Sequence, residues 1–134
     1  MELRGLEPKT NVFLFEYDCA RDGGALGDHF LEGNPIGMER LLVRGYIEVK
    51  TPLESSGTAE IALSLKTPGD VLASAAWPAA GSSGNTKGDI LPTTLDGSAT
   101  QALLNEVQGA RLVLTIAGAP VTAGRLIVAL EGMG

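Results

Sequence analysis

Apolar and polar positions alternate along much of this chain, and the period of the alternation is two. Over residues 42–50, Val43, Gly45, Ile47 and Val49 alternate with Arg44, Tyr46, Glu48 and Lys50. That spacing places one set on each face of a β-strand. Residues 58–66 repeat the scheme, with Ile61, Leu63 and Leu65 on one side and Glu60, Ser64 and Lys66 on the other. Near the end of the chain, Leu112, Leu114 and Ile116 oppose Arg111, Val113 and Thr115, and Leu126, Val128 and Leu130 mark one face of a strand over residues 125–131. Shorter apolar runs at residues 11–17, at 71–77 and around Ile90 predict three more strands.

Turn residues separate these runs. Thr51-Pro52 is expected to end the strand of residues 42–50, with Ser55-Ser56-Gly57 making the turn, and Pro68-Gly69-Asp70 is a strong turn signal. Residues 18–37 hold Gly23, Gly24, Gly27, Gly33 and Pro35 and read as a long loop or a pair of turns. Residues 79–99 read as a second loop, interrupted by the short strand at Ile90. One stretch suits a helix: residues 100–108, where Ala102, Leu103 and Val107 share a helical face. The last two strands are close enough in sequence to predict a hairpin, because a six- or seven-residue connection cannot carry a parallel crossover. The expected fold is therefore all-β: an antiparallel β-sandwich, jelly-roll-like, with about seven strands and little helix. Residues 1–10 are polar, carry Pro8 and are expected to form an extended N-terminal arm, leaving residues 11–134 as one sandwich domain.

Composition sharpens this picture. The chain has 134 residues, enough for one domain with a real core. Glycine, at 18 residues, is about twice its usual share, which fits many turns. Aromatics are scarce, so aliphatic side chains are expected to fill the interior. Ten basic against sixteen acidic residues give a net charge of −6 with no basic cluster, so nucleic acid and anionic membrane surfaces are not expected partners. No apolar run approaches the ~20 residues that span a bilayer. The first residues show no basic and apolar leader, and a single cysteine, Cys19, forms no intrachain disulfide. Folding in a cytoplasm is the expectation.

Candidate chemistry is thin. Asp18, Cys19, Asp22, Asp28, His29 and Glu32 lie close in sequence, but one Cys and one His do not make a zinc site, and the spacing matches no calcium loop. The expected reading is an exposed acidic loop whose Asp residues stabilise turns through side-chain bonds to nearby backbone, with Cys19 a small packed residue. Residues 81–88 resemble a phosphate loop only in their glycines, lack Gly-Lys-Ser/Thr, and read as a flexible connection. Neither a nucleophile elbow nor a second histidine offers a catalytic set, so the chain is not expected to be an enzyme. Neither metal nor cofactor is expected. Trp77 suits a sugar-stacking face, as Tyr17 or Tyr46 would, an interface anchor, or a cap on one end of the core.

Five stretches carry a resemblance. EYDCARDGGALG (residues 16–27), LVRGYIEV (42–49), SGTAEIALSL (56–65), GDVLASA (69–75) and LVLTIAGAPVTAGRLIVALE (112–131) resemble small structural proteins of tailed bacteriophages, the last as their closing hairpin. The resemblance implies a capsid decoration (cement) protein or a related head or tail accessory, often trimeric. It implies a virion location on the capsid surface after assembly in a host bacterial cytoplasm. The implied partners are the major capsid protein and further copies of the chain. Such a protein stabilises a shell by binding its assembled form and not its free subunits. The arm at residues 1–10 and the segment 18–37 are the expected contact elements. The alternatives are a carbohydrate-binding or tail-tip adhesion module and, behind it, a small sandwich hydrolase with paired carboxylates.

Overall fold

The computed structural model describes residues 10–33, 35–37, 40–66, 68–93, 102–105 and 109–133. The expected arm at residues 1–10 lies outside them except for Thr10, which opens the first strand. Among the described residues the chain forms ten strands and one helical turn: β1 (Thr10–Asp18), α1 (Cys19–Asp22), β2 (Gly27–Phe30), β3 (Glu32–Gly33), β4 (Arg40–Ser55), β5 (Glu60–Ser64), β6 (Leu72–Ala76), β7 (Ile90–Pro92), β8 (Ala102–Asn105), β9 (Val113–Ala117) and β10 (Val121–Met133). In this set no helix is long and apolar enough to cross a membrane.

Two antiparallel sheets result. One runs β3-β1-β10-β4-β7, with β8 also paired to β4, and the other runs β2-β9-β5-β6. With the two-residue β3 and the short β8 set aside, eight strands remain. Numbered one to eight in sequence, they stand 1-8-3-6 in one sheet and 2-7-4-5 in the other. That order is a jelly roll, the all-β sandwich expected from the alternation.

The alternating apolar residues meet where the period of two puts them. Phe15, Tyr17, Ile47, Val49, Leu126, Val128 and Leu130 from the first sheet share one buried cluster with Ile61, Leu63, Leu114 and Ile116 from the second and with Leu65 and Leu112 next to its strands. At ~1.5–3 kcal/mol for each large apolar side chain removed from water, this cluster is the main source of stability.

Four expectations are corrected. The described residues form ten strands against about seven expected, because β2, β3 and β8 span only two to four residues, too few to show a period. The same fact converts part of the expected 18–37 loop into α1, β2 and β3. Where a helix was expected over residues 100–108, Ala102–Asn105 is a strand paired with Arg40–Val43 of β4; the flanking residues 100, 101 and 106–108 lie outside the described set. A four-residue apolar run carries no period of its own, and here the open edge of β4 decides its state. Thr51-Pro52 does not end β4, which continues to Ser55. The β4–β10 register slips between Arg125↔Thr51 and Ala123↔Glu54, and this bulge accommodates a proline that cannot donate to the ladder.

The fourth correction concerns the end of the chain. β9 and β10 are not a hairpin, since β9 pairs with β2 and β5 while β10 pairs with β1 and β4. The chain crosses between sheets through Gly118, Ala119 and Pro120. Ala119 N–H donates to the Ala117 carbonyl at 2.9 Å, a γ-turn centred on Gly118 at φ +77°. Such a positive-φ turn is strained for any residue with a Cβ. A Cβ there would also lie 2.7 Å from the Thr58 carbonyl oxygen.

Candidate functional site

The clustered acids of residues 18–32 do not converge on a metal site among the described residues. Asp18 caps α1, its carboxylate accepting from Ala20 N–H at 3.0 Å, and Asp22 accepts from Asp18 N–H at 3.0 Å. Asp28 accepts from the Thr115 hydroxyl at 2.7 Å, across from β2 to β9. The Cys19 thiol lies 3.6 Å from the Val121 carbonyl. Both ring nitrogens of His29 face backbone oxygens, Nδ1 at 3.1 Å from Asp22 and Nε2 at 2.7 Å from Ala25. Among the described residues no group of three or more His, Cys, Asp or Glu is placed to hold a metal ion.

What organises this region is Arg21, which the sequence reading did not single out. Its guanidinium donates to the Glu16 carboxylate at 2.7 Å, to the Glu16 carbonyl at 2.9 Å and to both Asp22 oxygens at 2.9 Å, and it pairs with Glu32 at 3.2 Å. Arg125 of β10 donates to the other Glu16 oxygen at 2.8 Å. One arginine thereby ties β1, α1 and β3 together, and Glu16 links that unit to β10. Hydrogen bonds from Arg125 and then Arg21 hold the Glu16 carboxyl below its ordinary pKa of 4.5. Burial alone would raise Asp22, but Arg21 and the Asp18 N–H outweigh it, and the net shift is downward. Tyr17, fully buried, is pushed up by burial and donates its hydroxyl to the Gly23 carbonyl at 2.7 Å.

The proposed sugar-stacking aromatics do not form one platform. Tyr17 is inside the core, and Tyr46 stands on the outer face of β4. Trp77 packs partly against the core and lines a cleft of about 250 Å³ with Leu53, Ser55, Ala59, Pro78 and Val121.

The 81–88 segment is a bonded loop and not the flexible connection expected. Asn85, fully buried, sits at its centre. The Asn85 side-chain oxygen accepts from Leu53 N–H at 2.9 Å, and its amide nitrogen donates to the Leu53 and Pro78 carbonyls at 2.8 Å. Asp89 accepts from Gly84 and Thr86 N–H at 3.0 and 3.1 Å. The signal available in the sequence was Asn85 between Gly84 and Thr86, a residue whose side chain can imitate a backbone partner.

The outer face of the larger sheet is different in kind. Leu14, Ala129, Tyr46 and Pro92 are successive register partners across β1, β10, β4 and β7, so an apolar row crosses the sheet. Val12 adjoins it on β1 and Ile90 on β7, both more than half exposed. The ion pairs Arg44–Glu131 and Lys50–Glu48, each at 2.8 Å, flank the row. An exposed apolar row bordered by paired charges suits contact with another macromolecule better than chemistry on a small substrate.

The fold and this surface define a jelly-roll sandwich with an apolar outer row. Solved structures share that fold. A chain in the capsid asymmetric unit of cyanophage Pam1 superposes with a TM-score of 0.63 at 14% identity, over 94% of this chain and 85% of that one. A chain in the acidic stable capsid structure of Helicobacter pylori bacteriophage KHP30 gives 0.60 at 10% identity, over 93% and 87%. No protein-family model and no curated protein matches the sequence.

Proposed function

We propose that this chain is a structural component of a phage virion. In this reading it is a decoration (cement) protein that binds the major capsid protein on the outer surface of the assembled head, as a homotrimer, and performs no reaction. The observation that carries the reading is the fold likeness to chains of two phage capsid structures, which spans nearly the whole of this chain and most of each of the others. Binding to the assembled shell and not to free subunits stabilises the shell by mass action. The arm at residues 1–10 is the proposed shell contact, since ordering an extended segment covers area at modest cost.

The test is to add purified protein to heads that lack it and to measure occupancy by cryo-electron microscopy and shell melting by calorimetry. Ordered density on the outer surface with a raised melting temperature is expected, and removal of residues 1–9 is expected to reduce occupancy. Bare heads at saturating protein overturn the decoration role, and unchanged occupancy after the deletion removes the arm from it. The Trp77 cleft favours a second reading, carbohydrate binding at a tail tip. Glycan binding that Trp77→Ala abolishes would establish that reading in place of the first.

A further inference from the structure

The outward side chains of β1, β10, β4 and β7 form three successive rows across the larger sheet. Their register reads Val12–Glu131–Arg44, then Leu14–Ala129–Tyr46–Pro92, then Glu16–Ile127–Glu48–Ile90. The residues between the rows, Phe15, Ile47, Val128 and Leu130, point the other way into the core. All three rows therefore share one face. Val12, Leu14 and Ile90 on it are 56%, 59% and 64% exposed.

Each carboxylate in these rows has a cation beside it. Glu131 pairs with Arg44 and Glu48 with Lys50, both at 2.8 Å, while Glu16 accepts from Arg125 and Arg21. No charge in the three rows is left unpaired, although the chain as a whole carries −6. Two copies of an acidic chain repel least where each is locally neutral. A partner that reads one sign of charge finds nothing to read here. What the face presents is an order: acid on β10 and base on β4, with a small side chain and a large one on the same two strands in the next row.

That order is its own complement. Consider a two-fold axis parallel to the strands and midway between β10 and β4, with a second copy laid face to face about 10 Å away. The rotation exchanges the β10 column with the β4 column and keeps each row at its own level. Glu131 then faces Arg44 of the other copy, and Arg44 faces its Glu131, two opposite-charge contacts about one axis. In the next row Ala129 faces the other copy's Tyr46, small against large, and Leu14 faces Pro92. An axis across the strands sets Arg44 against Glu48, but it puts Tyr46 on Tyr46 and Glu131 on Ile127. Stacked sheets turn about 30° from strict alignment, so the match is tightest at the centre, where Ala129 meets Tyr46. We infer that a second copy of this chain docks face to face on these rows, Arg44 and Glu131 of each copy meeting Glu131 and Arg44 of the other. Such a contact is isologous and closes at two copies. It goes beyond the proposed trimer, whose three-fold contact needs another face.

The test uses the isolated full chain, so its outcome is independent of whether heads are bound. By analytical ultracentrifugation the parent is expected to sediment as a dimer, or as a hexamer where a three-fold contact also forms in solution. Tyr46→Glu changes an exposed side chain and is expected to halve that mass. Arg44→Glu gathers four carboxylates about the axis, and Glu131→Arg gathers four cations. Each of these two alone is expected to self-associate about 10-fold or more weakly. An equimolar mixture of the two is expected to recover the parent's mass, because the acids of one then face the bases of the other. Circular dichroism checks that every variant folds, and recovery in the mixture separates a lost contact from a lost fold. A monomeric or trimeric parent, a variant that keeps the parent's association, or a mixture no heavier than its components overturns the inference.

Discussion

At the scale of single residues, the loops are held by side chains that stand in for backbone. Asn85 is the clearest case, because one amide satisfies Leu53 N–H, the Leu53 carbonyl and the Pro78 carbonyl beneath the bulge of β4. Asn85→Ala removes the partner and leaves the buried groups bare, which costs more than the bonds themselves contribute. A loss of about 2–4 kcal/mol is expected in urea unfolding. Thr93 presents the opposite situation. It is fully buried, and its hydroxyl has no hydrogen-bond partner among the described residues. Thr93→Val keeps the shape and removes the unpaired group, so a gain of about 1 kcal/mol is expected in the same measurement.

At the scale of elements, the legible part of the sequence was the inward face of each long strand. Ile61, Leu63 and Leu65, and Leu112, Leu114 and Ile116, are buried as their alternation required. Alternation says which side chains point inward and nothing about which sheet a strand joins. β9 and β10 have the same pattern whether they form a hairpin or cross the sandwich. Pro52 misled for a related reason: a proline breaks a regular ladder, but the slipped register opposite it was invisible without β10. Ala102–Asn105 is too short for any period, so only its neighbour β4 could define it. Of the site, Asp18 and Asp22 were legible as turn-formers, while the bond of Asp28 to Thr115 and the hub role of Arg21 depended on bringing distant strands together. The crossing between β9 and β10 yields its own prediction. Gly118→Ala puts a Cβ on a positive-φ residue and against the Thr58 carbonyl. A loss of about 1–3 kcal/mol is expected by thermal unfolding, without change in the β-rich circular dichroism of the fraction that stays folded.

At the scale of the whole molecule, the ion pairs around Glu16 link the start of the chain to its last strand, and they set how stability responds to acid. Glu16 and Asp22 both have folded pKa values below their ordinary 4.5 and 3.8. Their contribution is fully present above those ordinary values and is lost as pH falls through the lower folded ones. Glu16→Gln deletes one share of it. The variant is expected to be less stable at pH 7 by about 0.5–1 kcal/mol, the scale of a surface pair. The gap to the parent should narrow as the pH is taken below 4 in a series of thermal melts. A gap that stays constant across the series would show that the Glu16 charge contributes nothing to folding.

The place of β10 in its sheet has a consequence for biosynthesis. Last of the described strands to leave the ribosome, it nonetheless stands between β1 and β4, the partners it joins along Thr10–Asp18 and Leu42–Ser55. Until it emerges, those two strands have no shared neighbour, and half the sandwich has nothing to close on. Assembly of this fold must therefore wait for translation to pass Met133. A nascent chain stalled before Val121 offers two sticky, unzipped borders to whatever lies nearby. Closure of the larger sheet thus hangs on one thirteen-residue strand, Val121–Met133.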